Sequence, residues 1–356
     1  MHLEQGNVPD GYLRYVARKR TLLTGLFLLT CVVAIASVCL GAVRIPLPDV
    51  LAALSGSGTA PRISAIVWNI RLPQTLTAIF AGASLALCGT LSQALLRNPL
   101  ASPFTLGISN AAAFGGAFSI IFLGAGRMQS TVADAVRVSN PLTATSCAFC
   151  FSVLASALVL LIARAGRSKP EVMVLAGVAL GSLFTAGTMF LQYLADDSQV
   201  AAAVFWTFGG VSRAPWRELA IIAVVFAGVF SGASFFALDL NALEAGDETA
   251  RSLGIPVDVL RVLGMGVVSL LSAVVVAFLG VIGFIGLVAP HMLRRVIGND
   301  HRFLLPASAV AGACLLLAAD TAARLVFAPR VLPVSVLTAF LGVPVFLAII
   351  LRTRTA

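Results

Sequence analysis

The chain has 356 residues, 59% of them hydrophobic and only 11% charged. A soluble domain carries roughly 25% charge, so the composition excludes a soluble globular protein and indicates an all-α integral membrane protein. The formal net charge of +9 comes from two lysines and twenty-two arginines against fifteen acids; in a membrane protein such an excess marks loops on one side of the bilayer, and no nucleic-acid partner is expected.

Residues 1–20 read as a polar cytoplasmic tail ending in Arg18-Lys19-Arg20. The apolar run behind it is longer than a signal-peptide core of roughly 7–15 residues, so it is expected to remain as a first span. A helical span needs about 20 apolar residues. The apolar runs are continuous rather than alternating, which selects helices over a barrel. About ten spans are predicted, at 21–43, 74–96, 104–123, 142–163, 172–195, 217–237, 260–279, 282–298, 304–326 and 334–351. They form one transmembrane domain, 21–356. The first connection holds an amphipathic stretch, Leu47 to Leu54, and a Gly/Ser/Pro-rich linker to Pro61. A second short amphipathic helix is predicted at 199–211. Small residues such as Gly82, Ala86 and Gly89, or Gly177 and Gly181, allow close helix approach in lipid. Gly and Pro crowd 279–290, where a helix can break if its backbone is covered by protein or faces water.

The six cysteines lie in apolar runs. Cys147-Ala-Phe-Cys150 has redox spacing but no accompanying His or acid, so it reads as small core side chains. No metal site and no disulfide framework are expected.

The polar segment 239–258 contains Asp239, Glu244, Asp247, Glu248 and Asp258. It reads as two short helices around Gly246 with one apolar face. With both termini on the cytoplasmic side, the basic residues concentrate inside, among them Arg97, Arg164, Arg251, Arg294 and Arg295. The same map puts 239–258 in the cytoplasm. No Gly-x4-Gly-Lys-Ser/Thr phosphate loop occurs, so ATP hydrolysis by that route needs another polypeptide.

Three stretches carry a resemblance. The first runs from Arg71-Leu-Pro-Gln-Thr through Gly82-Ala-Ser-Leu-Ala-Leu-Cys-Gly89 to Arg97-Asn-Pro-Leu-Ala-Ser-Pro103 and Leu106-Gly-Ile-Ser109. The second is 239–258. The third is Gly283-Phe-Ile-Gly-Leu-Val-Ala-Pro-His-Met-Leu-Arg-Arg295, followed by Asp300-His-Arg and Leu317-Ala-Ala-Asp-Thr-Ala-Ala-Arg324. In this order they resemble the FecCD permeases of ABC importers for iron-siderophores, haem and cobalamin. The resemblance implies a type II ABC importer permease fold with ten transmembrane helices. It also implies three partners: a cytoplasmic ATPase dimer that binds ATP and Mg, a second permease subunit, and a periplasmic or lipid-anchored substrate-binding protein. No cofactor is implied for this chain itself.

Within that resemblance, Gly246-Asp-Glu-Thr-Ala-Arg-Ser-Leu-Gly254 fits the coupling-helix pattern Gly-Glu-x-x-Ala-x-x-Leu-Gly, with Asp247 in place of Glu. The implied coupling residues are Leu243, Gly246, Asp247, Glu248, Ala250, Arg251, Leu253 and Gly254, with Ala250 and Leu253 as apolar knobs for the ATPase groove. Arg71 and Arg324 match arginines that dock the binding protein; Gln74 stands where a second arginine often follows. Asp320, four residues before Arg324, is positioned for an intramembrane ion pair. The connection between spans four and five implies an inner gate near Arg167, Ser168 and Lys169. The favoured cargo is a ferric siderophore; haem, cobalamin and molybdate remain open. A secondary transporter would need ionisable groups near the midplane, and only Asp320 approaches that. An intramembrane protease built on Ser109 and His291 would need residues that the span map separates.

Overall fold

In the computed structural model the first helix, α1 (Asp10–Cys39), starts well before the expected boundary at residue 21. Thirty residues rise roughly 45 Å at about 1.5 Å each, more than the roughly 30 Å of hydrocarbon. Nothing in 10–20 stops a helix, so the basic part of the expected tail continues the first span as an overhang. The structure describes residues 10–41, 43–56, 60–125, 140–165, 169–326, 328 and 331–353.

Helix α2 (Leu47–Ser55) ends on Gly56 at φ 71°. Its Val50 and Ala53 pack against Val38, Ile45 and Val67, while Leu47, Leu51 and Leu54 face outward, as expected of a helix lying in the interface. Helix α3 (Pro61–Ile66) passes through one π turn, Val67–Arg71, into α4 (Leu72–Leu95). The whole rod is 35 residues long and the most buried span. Close packing follows from its glycines. A Cβ at Gly82 would collide with the Gly312 carbonyl, and one at Gly89 with that of Gly286.

The chain continues through α5 (Ile108–Ile121), α6 (Pro141–Ala165), α7 (Pro170–Tyr193), α8 (Asp197–Thr207) and α9 (Trp216–Phe235). Asp196 and Gln199 form a capping box at the start of α8. Then come α10 (Ala237–Glu244), α11 (Asp247–Ser252), α12 (Val257–Leu279), α13 (Ile285–Ile297), α14 (His301–Leu325) and α15 (Val334–Thr353). Helix α4 sits at the centre, against α1, α9, α12, α13 and α14. Helices α5 to α8 form a second layer against α12.

Seven helices among the described residues are long and apolar enough to cross a membrane. Two of the ten expected spans are shorter in the structure. Helix α5 has 14 residues, and α13 has 13 and contains Pro290. The third expected span loses its beginning because 99–107 turns back on itself before Gly107, which adopts φ 74°. Ala101, Ser102, Pro103, Leu106 and Gly107 are buried there, meeting the condition for irregular backbone at membrane depth.

Candidate functional site

Three places draw polar side chains together. At the first, α10 and α11 form a hairpin over the ends of α4, α12, α13 and α14. Gly246 joins them at φ 128°, ψ 150°, a conformation that Cβ-bearing residues rarely adopt. Asp247 and Glu248 occupy the first turn of α11, where the helix dipole favours acids. Their roles then divide. The Asp247 carboxylate accepts from Arg261 Nη2 at 3.0 Å and lies 3.7 Å from Arg97 Nη1. Arg261 is only 1% exposed, and its Nε donates to the Leu95 carbonyl at the end of α4 at 2.9 Å.

Ala250 and Leu243 are both fully buried, in one core with Leu95 and Val257. The expectation that Ala250 is an outward knob is therefore corrected. Its methyl faces the protein's own core, which takes the apolar side of α11. The outward surface includes Glu248, Thr249, Arg251, Ser252 and Leu253, with Leu253 66% exposed. Arg251 lies 3.4 Å from Asp258, and Gly254 at φ 83° ends the turn.

Helix α10 is tied down just as firmly. Arg294 of α13 donates to Glu244 at 2.6 Å. Asn241 Oδ1 accepts from the His301 backbone and from its Nδ1, both at 2.8 Å, so the Nδ1 tautomer carries the proton. Asn241 Nδ2 donates to Asp300 at 3.0 Å. Burial raises the pKa of Asp300, but hydrogen bonds from Arg302 and Asn241 outweigh it and bring it down to about 2.

At the opposite end, Arg71 and Arg324 converge on the C-terminus of α1. Arg71 donates to the carbonyls of Leu40 at 2.9 Å and Val43 at 3.2 Å. Arg324 donates to Leu40 O at 3.1 Å and to Ser37 Oγ at 2.7 Å. The helix dipole makes that end negative, and a Cβ at Gly41 would collide with the Arg71 guanidinium. Arg324 Nε lies 3.0 Å from Asp320 Oδ2, and Gln74 Nε2 donates to both carboxylate oxygens at 3.0 and 3.2 Å. Each arginine is 6% exposed. Of the two arginines expected to dock the binding protein, Arg71 is engaged by the carbonyls that follow α1, and Arg324 by those of Ser37 and Leu40 and by Asp320. Gln74 is not merely a missing arginine here; it satisfies the buried acid.

The third place is a groove of about 420 Å³ beside a broken helix. Helix α12 stops at Gly280, φ 80°. Val281 then forms a parallel bridge with Phe208, and Phe284 takes φ 66° before α13 begins. Gly209 holds the break to α15: its N–H donates to Ser335 Oγ at 3.2 Å, and its carbonyl accepts from Val334 N at 3.1 Å. Arg213 caps α8 through the carbonyls of Phe205, Trp206 and Phe208. The groove wall carries no charge: Phe104, Ala113, Met189 and Val281 share it with Ser109, Asn110, Thr185, Thr188, Gln192, Thr207 and Ser335. Asn110 Nδ2 donates to Thr185 Oγ1 at 2.8 Å. Such a wall can pass a bulky ligand without binding any one charge tightly. Thr185, Thr188 and Gln192 recur at helical spacing on one face of α7, a signal present in the sequence and missed. Of the expected inner gate, Arg167 and Ser168 lie outside the described residues; Lys169 is exposed and leads through Pro170 into α7.

The model of the FecCD transport family matches residues 28–352. The chain belongs to that family. Among FecCD relatives, a protein of Methanocaldococcus jannaschii assigned as an ABC transporter permease is 47% identical, over 97% of this chain and 98% of its own length. The hemin transport system permease HmuU of Yersinia pestis is 36% identical, over 94% and 96%. The vitamin B12 import system permease BtuC of Klebsiella pneumoniae is 37% identical, over 95% of each. A solved structure reported as an inward-facing metal-chelate type ABC transporter superposes with a TM-score of 0.81 at 30% identity, covering 94% of this chain and 99% of the other. Streptococcus pneumoniae PsaBC, at 17% identity and a TM-score of 0.52, shares the fold. This FecCD chain thus has the fold of ABC importer permeases.

Proposed function

We propose that the chain is the permease subunit of an ATP-driven importer that carries a metal chelate, ferric siderophore, across the cytoplasmic membrane. The observation that carries this reading is the exposed helix α11, whose support runs without interruption to the helix broken beside the uncharged groove. The coupling loop lies on the cytoplasmic side with both termini, and an ATPase dimer docks on Glu248, Arg251 and Leu253. A second permease copy completes the path, and a periplasmic or lipid-anchored binding protein delivers the cargo from the opposite face.

When the ATPase closes, it displaces α10 and α11 together. The Glu244–Arg294 contact moves α13 with them. Helix α13 begins at the break by the groove, so the two ends of one short helix link the ATPase to the path. The subunit makes and breaks no covalent bond; it shifts between two accessibility states. The similarity to HmuU and BtuC supports haem or cobalamin as the second reading. ATP-dependent uptake into proteoliposomes, with the cognate ATPase and binding protein, compares ferric siderophore, haem and cobalamin directly. Uptake of the siderophore alone supports the proposal, and uptake of only haem or cobalamin replaces the cargo.

A further inference from the structure

Between α9 and α12 the protein surface opens into a second cavity, an apolar crevice of about 400 Å³. Leu91 and Leu95 of α4 form its floor. Asp239 is the sole charged residue in its wall, and it sits on α10 beside Ile255 and Pro256. Along α12 the lining runs from Val259 to Leu270, roughly 16 Å at about 1.5 Å per residue. The hydrocarbon core is roughly 30 Å thick, so the crevice is about one leaflet deep. Its polar end lies where the chain leaves the membrane for the coupling loop.

Two glycines of α9 keep the crevice open. Gly228 and Gly232 lie one turn apart in its wall, and a Cβ added at either meets nothing within 4 Å. Glycine in a helix interior is unfavourable, and no close packing offsets it here. An apolar cavity of this kind does not hold water well. At the mouth, Asp239 is half-buried and forms no ion pair among the described residues, whereas Asp258 is already matched by Arg251. The mouth therefore favours a cation and disfavours an anionic headgroup.

We propose that this crevice binds one acyl chain of a phospholipid from the leaflet on the coupling-loop side, with Asp239 taking the primary amine of its headgroup. The lipid touches α9, α10 and α12 together and braces the base of the coupling loop. This site lies outside the groove and does not depend on which cargo is carried.

The test uses the purified full-length permease in vesicles containing phosphatidylethanolamine with a photoreactive acyl chain. Labelling should concentrate on crevice residues such as Leu263 and Val267. In native mass spectrometry the protein should retain phosphatidylethanolamine over phosphatidylcholine by on the order of tenfold. Added phosphatidylethanolamine should raise the Tm of the detergent-solubilised protein. Gly232→Leu and Gly228→Leu fill open space rather than clash, and should abolish labelling, retention and the Tm rise. Asp239→Asn should keep the labelling and lose the headgroup preference. Three results would overturn the proposal: labelling no denser in the crevice than at Leu175 and Leu183 on α7, retention unchanged in Gly232→Leu, or equal retention of the two lipids.

Discussion

The two ends of this membrane protein use charge in opposite ways. At one end, Arg71 and Arg324 face inward, Arg71 onto the carbonyls that follow α1 and Arg324 onto those carbonyls and the carboxylate of Asp320. At the coupling end, the buried Arg261 and the partly buried Arg294 hold up a hairpin whose outer surface keeps Glu248, Arg251 and Leu253 exposed. The first arrangement closes a helix end, and the second presents one. Neighbouring acids therefore differ in kind: Asp247 is a strut, whereas Glu248 is free to meet a partner.

The largest expected effect is at the closed end. Asp320→Ala leaves the buried Arg324 and Gln74 without their carboxylate acceptor, and breaking such a buried pair costs about 3–5 kcal/mol. Thermal unfolding in detergent should show a large loss of Tm or of folded yield, with Asp320→Asn intermediate. Wild-type stability in Asp320→Ala would mean that the two ends do not differ as described.

Next in size is the strut. Asp247→Ala leaves Arg261 buried without its carboxylate and should cost about 1–3 kcal/mol, read as a lower Tm. Glu248→Ala, one residue along, should cost no more than about 0.5 kcal/mol. Equal losses at the two positions would erase the distinction between strut and contact. A smaller effect is expected from Arg294→Ala, about 1 kcal/mol in stability. With the partner ATPase present, however, that variant should hydrolyse ATP with reduced uptake, because α13 is no longer tied to α10.

The smallest effect concerns pH. Asp300 has its folded pKa depressed to about 2, below the roughly 3.9 of an unfolded aspartate. Its contribution to stability is present in full above about pH 4 and is lost as pH falls toward 2. Wild-type protein and Asp300→Asn should differ in Tm at neutral pH and converge in that acid window. A difference that vanished between pH 5 and 8 would point to another group.

Much of this was legible in the sequence, and what was not has physical reasons. The turn at Gly246 could be read because its backbone conformation excludes most side chains. The apolar face of α11 could also be read, but not which partner covers it. Periodicity gives Ala250 and Leu243 the same pattern whether they meet an ATPase or their own core. Likewise, continuous hydropathy at 104–123 and 282–298 hides breaks that depend on distant residues. The backbone at 208–209 and 281 pairs across helices, and Ser335 completes it. Arg71 and Arg324 read as surface cations because the carbonyls that bind them, near Leu40, carry no signal in the sequence.

The most direct measurement joins two substitutions on the exposed face, Glu248→Lys with Leu253→Glu, and follows Tm, ATPase co-purification and ATP-dependent uptake in proteoliposomes. The expected result is a wild-type Tm with loss of the ATPase from the purified complex and loss of uptake. A wild-type complex with normal uptake would contradict the assignment of this surface as the place where the transporter is driven.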